Sequence, residues 1–187
     1  FLNYRLDVTF TNGDEEFVVP GFYAADGNAA KSSAESGKLW MVRFTPNKTG
    51  EWTYLVSFKQ GENIAVGNDT SGAESAGKVD GETGTFNITE SDKTGIDNRA
   101  KGRLNYIDEP YLQYAETKEH FIKVGVDAPE NLLAYEDIDA TTNVFDFRKS
   151  WEFHAADFEE SATPFLWQGE KGKNLLGAIN YLASEEL

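Results

Sequence analysis

The sequence predicts a mainly β chain: an antiparallel β-sandwich over its first half, then a hairpin and a single strand, loop and helix. Three observations predict it. Apolar and polar residues alternate with period two in short runs through about residue 88. Turn-forming residues separate the runs. After about residue 120 the pattern changes to a continuous apolar run, a long connection and leucines at helical spacing.

Tyr4, Leu6, Val8 and Phe10 alternate with Arg5, Asp7, Thr9 and Thr11, the pattern of a strand with one buried and one wet face. Asn12-Gly13-Asp14 turns the chain into Phe17-Val18-Val19, and Pro20-Gly21 stops that second strand. Trp40, Val42 and Phe44 form a third stripe; Trp52, Tyr54, Val56 and Phe58 form the next, across the turn Thr45–Gly50. These two stripes are expected to pair with each other. Gly61 to Gly84 is rich in Gly, Ser, Asp and Glu without apolar periodicity and reads as a mobile surface loop, after which Phe86 and Ile88 close the module. Several short strands with no helix among them resemble immunoglobulin or fibronectin modules. Trp40, Trp52 and Tyr54 invite a carbohydrate-binding reading, but their alternation with Val42, Phe44, Val56 and Phe58 places them in the core.

Ser91-Asp92-Lys93-Thr94-Gly95 reads as a junction, dividing the chain into a sandwich at 1–91 and a second part at 92–187. In the second part Leu104-Asn105-Tyr106 and Tyr111–Tyr114 flank Asp108-Glu109-Pro110 as a hairpin. Phe121–Val126 has the continuous apolar character of a buried parallel strand. Leu175, Leu176, Ile179, Leu182 and Ala183 share one face of a predicted helix. Both faces of such a strand, and the stripe of its helix, need neighbours. The unit is therefore read as the first β-loop-α unit of an incomplete TIM barrel, since a whole barrel takes about 250 residues. The start at Phe1, directly before a strand, is read as the result of a removed leader or longer N-terminal part.

Charge and composition narrow the function. With 32 acidic and 17 basic residues the formal charge is -15, a field that repels phosphate backbones and anionic lipid, so neither nucleic acid nor membrane is an expected partner. The absence of cysteine removes disulfides, thiolate zinc sites and cysteine nucleophiles. No apolar run has the roughly 20 residues that cross a bilayer.

Val19–Gly27, Arg43-Phe44-Thr45-Pro46 with Gly50–Tyr54, and Asp92-Lys93-Thr94-Gly95 resemble the N-terminal sandwich domain of unknown function found in secreted bacterial glycoside-hydrolase-like proteins. In that family the sandwich precedes an apiosidase-like (β/α)8 barrel. Lys101–Leu104, Phe121–Gly125, Asp127–Asn131 and Gly177–Ser184 look like the opening of that barrel. The resemblance covers nearly the whole chain. It implies a secreted or periplasmic bacterial protein acting on polysaccharide or oligosaccharide, with the remainder of the barrel, or another chain, covering the exposed strand. Glycosidases need two carboxylates across the scissile bond, and in barrels these come from separate strands. Only one such strand is expected here, so no catalytic residue carries over and catalysis is expected in the intact parent.

If residues 121–126 are a barrel strand, Lys123, Gly125 and Asp127 face the lumen, and Asp127, Glu130 and Asn131 sit at the carboxyl end where barrel sites form. These three become candidates to bind sugar hydroxyls, against the plainer reading that they shape a turn. Trp151, His154 and Trp167 lie in the long connection. Their rings suit stacking on a pyranose and suit equally the anchoring of a loop. His154 has only His120 as a fellow histidine, so no metal site is expected. Asp26-Gly27-Asn28 and Glu136–Asp139 offer oxygen ligands for calcium but lack EF-hand spacing and read as turn or solvated loop; no cofactor is expected. Two non-catalytic readings stand beside the leading one: a carbohydrate-binding sandwich, or a structural or adhesion module pairing with another chain.

Overall fold

The computed structural model describes residues 1–67, 69–95, 97–123, 129–138 and 148–185. They fall into two compact units, Phe1–Gly27 with Ser36–Ile122, and Asn28–Glu35 with Lys123–Leu187.

The first unit is the antiparallel β module that the alternation predicts. Strand β1 (Tyr4–Asn12) turns through Gly13 and Asp14 into β2 (Glu15–Pro20), with Asn12 opposite Glu15 and Phe10 opposite Phe17. Then come β3 (Phe22–Ala25), β4 (Leu39–Met41), β5 (Gly50–Gln60), β6 (Glu74–Ser75) and β7 (Thr83–Ile88). The main sheet runs β2-β1-β5-β6, with β7 also on β5. The register sets Leu6 opposite Phe58, Val8 opposite Val56, and Trp52 opposite Phe86, so one period-two face gathers the apolar side chains of four strands. Leu6, Val8, Phe10 and Trp52 are buried on that face, Trp52 completely. The indole N–H of Trp52 donates to the Lys48 carbonyl at 3.1 Å, which satisfies its one polar atom.

The expected pairing of the Trp40–Phe44 stripe with the Trp52–Phe58 strand is corrected. Strand β4 pairs with β3, setting Tyr23 opposite Trp40, whereas β5 pairs with β1 on one side and β7 and β6 on the other. With both edges of β5 taken, residues 42–46 cross its face instead. Phe44 stacks on Phe10 at 4.3 Å and meets Trp52 edge-on at 5.1 Å. Alternation reports which face is buried, not whether the neighbour lies beside the strand or above it.

The loop after β5 also departs from expectation. Ile64 opens a short 3-10 turn and is buried, and Ser75 pairs with Lys59. Asp80 accepts the Phe58 N–H at 2.9 Å and the Lys59 ammonium at 2.7 Å. These ties run through backbone and one carboxylate and so leave no apolar periodicity to read.

The hairpin predicted around Asp108-Glu109-Pro110 forms from β8 (Leu104–Asn105) and β9 (Gln113–Tyr114). It belongs to the first compact unit, which extends to Ile122, whereas the sequence reading sets it with residues 92–187. The Arg103 guanidinium lies 5.0 Å over the Phe17 ring, tying the hairpin to the sheet.

The second unit contains α1 (Ala29–Ser32), α2 (Pro129–Leu133), two 3-10 segments at Glu152–Asp157 and Glu160–Phe165, and α3 (Lys173–Ser184). The side-chain amide of Gln168 donates to the Ser33 hydroxyl and joins the α1 segment to this unit. Of the expected barrel strand, Phe121 donates its N–H to the Leu112 carbonyl at 2.7 Å, and Val124–Val126 lie outside the described residues; no barrel closes among the described residues. The predicted helix forms, but its buried face is rotated. Gly177 and Ala178 are buried, Leu175, Leu176 and Leu182 are half-buried, and Ile179 is 45% exposed. At Gly177 a Cβ would collide with the His154 carbonyl oxygen, so the missing side chain lets the helix approach the first 3-10 segment.

Candidate functional site

The second unit gathers the sequence-predicted aromatics into two separate clusters. In the first, Trp151 stands in the left-handed region at φ 54 and starts the 3-10 segment that carries His154 and Asp157. His154 Nδ1 is 2.9 Å from Asp157 Oδ2, and the imidazole lies 5.0 Å from the Tyr181 ring and 6.1 Å from Trp151. With the proton on Nδ1 the ring donates to Asp157 and keeps Nε2 as an acceptor for a hydroxyl. The Trp151 indole N–H is buried and has no hydrogen-bond partner among the described residues.

The second cluster centres on Trp167. Its indole N–H donates to the Asp137 carbonyl at 3.2 Å, and its ring meets Tyr135 edge-on at 6.2 Å. Asp137 Oδ2 accepts the Tyr135 hydroxyl at 2.8 Å and the Gly172 N–H at 3.3 Å. Burial, with the Asp137 carboxylate next in weight, pushes the Tyr135 phenol above its ordinary range and keeps it a neutral donor. The one polar atom of Trp167 is thus satisfied inside the unit.

Of the remaining candidates, Asp127 lies outside the described residues. Glu130 is exposed in the first turn of α2, and Asn131 is half-buried one residue on. Among the described residues no hydrogen bond or ring contact joins this pair to His154 or Trp167. Among the described residues no three His, Asp or Glu side chains converge as a metal cage requires.

Sequence reasoning missed a cleft of about 570 Å³ in the first unit. Tyr4, Phe22, Tyr23 and Trp40 line it together with Arg5 and Asp7. Tyr23 and Trp40 lie 5.6 Å apart, and Tyr4 and Trp40 6.2 Å. Arg5 Nε donates to Asp7 Oδ2 at 2.6 Å and Nη1 donates to the Gly67 carbonyl at 2.5 Å, which fixes the guanidinium at the rim. Aromatic faces beside fixed polar groups suit a sugar ring, whose two faces are apolar and whose edge is hydroxylated. The signal available in the sequence was Arg5-Leu6-Asp7: opposite charges on the wet stripe of β1, next to Tyr4. On the wet face of β1 this pair carries no sign of a cleft, because the turn that brings β3 and β4 over that end is not written in β1.

Residues 1–59 match the family described as "Domain of unknown function (DUF5060)". No curated protein matches the chain. Among solved structures, the chain is similar to a "putative glycoside hydrolase" from Bacteroides vulgatus ATCC 8482, at 24% identity and a TM-score of 0.40. That similarity covers 70% of this chain and 21% of the other, so the chain spans about a fifth of that protein's length.

Proposed function

We propose that the chain is the N-terminal accessory sandwich, with the opening of a larger barrel, of a secreted glycoside-hydrolase-like protein that degrades polysaccharide. The sandwich supports and orients the barrel, and catalysis belongs to the intact parent. One observation carries the reading: the family-matched stretch, residues 1–59, holds β1 to β4, all of β5 but Gln60, and every aromatic of the cleft. Support also comes from the motif resemblances in Val19–Gly27 and Gly50–Tyr54 and from those at the expected start of the barrel, Phe121–Gly125. Trp151 and His154, and separately Asp127, Glu130 and Asn131, would then contribute sugar contacts in the parent, whereas Trp167 serves to hold the connection.

Hydrolysis of a panel of plant and algal polysaccharides, followed as reducing ends, tests the proposal with this 187-residue chain and the full-length protein. Turnover is expected from the full-length protein alone. Turnover by the shorter chain, or by neither, overturns it.

A further inference from the structure

We propose that the pocket between the sandwich and the β8–β9 hairpin binds the charged group of an anionic saccharide, a carboxylated or sulfated pyranose, through Arg103. The inference rests on the carbohydrate reading above and adds a ligand class and a site which that reading does not use.

The pocket has a volume of about 730 Å³, with Thr45, Lys48 and Ile88 on the sandwich side and Arg103, Leu104 and Tyr114 on the hairpin side. Its charge opposes that of the molecule. In a chain of formal charge -15 it brings together Lys48, Arg99 and Arg103 against a single carboxylate, Glu116. The three cations are not equivalent. Arg99 is bound by Asp97, with Nη2 2.6 Å from Oδ2, and its charge is locally matched. Lys48 is 3.5 Å from Glu15, and both side chains are about two-fifths exposed, so that pair is loose.

Arg103 has no carboxylate partner among the described residues. The one hydrogen bond of its guanidinium among those residues runs from Nη1 to the Thr45 carbonyl at 3.4 Å, near the limit for such a bond. A guanidinium has five N–H donors, and this one is half-buried with a face against Phe17. Stacking occupies the face and leaves the N–H edge, the arrangement that takes a carboxylate or sulfate through two parallel hydrogen bonds. The position is fixed by backbone: the Arg103 carbonyl accepts the Ala115 N–H at 2.8 Å, and the Lys101 carbonyl accepts the Glu116 N–H at 3.1 Å. Gly102 between them has φ +78, and a Cβ there would lie 2.7 Å from Glu116 Cγ and 3.0 Å from its backbone nitrogen. Leu104 and Ile88 add apolar surface to the lining, and the buried Tyr114 ring, covered by the Lys101 ammonium at 5.2 Å, closes the wall behind them. The whole-chain charge disfavours a long polyanion such as nucleic acid, while one anionic ring fits the space.

Calorimetric titration of the 187-residue chain tests this with three probes: trigalacturonate, a monosulfated galactose disaccharide, and neutral galactotriose. One or both anionic probes are expected to bind saturably and at least roughly tenfold tighter than the neutral one. Which of them binds identifies the anion as carboxylate or sulfate. R103Q should weaken that binding by roughly tenfold or more, R103K should fall between because it keeps charge without the fork, and R43Q, which removes the guanidinium 5.3 Å over the Phe22 ring and outside this pocket, should change it by less than about twofold. Near-ultraviolet circular dichroism checks each fold; if R103Q does not fold, R103K is the readout. Equal affinity for galactotriose, undiminished binding by folded R103Q or R103K, or no saturation at millimolar concentration overturns the proposal. Polysaccharide turnover by the full-length protein without binding here removes this pocket and leaves the accessory role standing. Binding here with no turnover by the full-length protein does the reverse.

Discussion

Asp80 shows at the scale of one residue how a loop without apolar pattern is held. Its carboxylate accepts from the Lys59 ammonium and from the Phe58 N–H, and these two bonds hold its pKa below the ordinary carboxylate value of 3.8. A carboxyl whose folded pKa is depressed contributes stability that is fully present above its unfolded value and is lost as pH falls through its folded value. Asp80→Asn should therefore lower the melting temperature at neutral pH, and the gap from the parent chain should close below about pH 3.8. Thermal melts from pH 7 to pH 2 check it; a gap independent of pH would show that packing at this position, not ionisation, matters. The same scale separates the predicted aromatics. The Trp151 indole N–H has no hydrogen-bond partner among the described residues and His154 Nδ1 lies against Asp157, while Trp167 donates to the Asp137 carbonyl. The sequence offered three similar rings in one connection, and only their partners tell an anchor from a candidate ligand.

The elements were legible in proportion to how much of their burial is periodic. Strand β1 places its apolar residues at every second position, β2 and the first half of β5 alternate in burial, and the hairpins at Asn12–Glu15 and Leu104–Tyr114 carry turn residues where the chain reverses. Strand β4 was legible as extended but not in its partner, because Val42 and Phe44 bury equally well beside β5 or above it. Helix α3 was legible in existence and not in rotation. Leucine spacing pointed to Ile179 and Ala183, whereas the closest approach is made by Gly177, whose lack of a side chain carries no hydrophobic signal. Propensity alone predicts that Gly177→Ala stabilises α3 by about 1 kcal/mol. The His154 carbonyl occupies the space the methyl would take, and overpacking against backbone costs about 1–3 kcal/mol. Denaturant unfolding is expected to show net destabilisation; a gain would mean that the 3-10 segment yields to the methyl.

At the scale of the whole molecule the formal charge of -15 sets a self-repulsion that no single ion pair offsets. The exposed pairs, such as Arg99 with Asp97, are individually worth little. Raising the ionic strength from about 0.01 M to 0.1 M shortens the Debye length from roughly 30 Å to 10 Å. The melting temperature should rise over that interval, measured by scanning calorimetry. A fall would mean that local attractive pairs outweigh the net field. The division into two units likewise belongs to this scale. A polar junction at Ser91–Gly95 is visible in composition, yet the first unit continues through the hairpin to Ile122. Arg103 is responsible in part: its stacking on Phe17 joins residues 86 positions apart in a way that no local pattern announces.

By itself the sequence determined the β character of the first half, its buried face, its two hairpins, the existence of α3 and the sign of the molecular field. These follow from periodicity, turn chemistry and charge, which are properties of neighbouring residues. Tertiary structure alone decided that β4 pairs with β3, that Gly177 faces the 3-10 segment, and that Tyr4, Tyr23 and Trp40 share one cleft while Arg103 reaches another. Those outcomes depend on which distant surfaces compete for the same space, and that competition is settled only when the chain is packed.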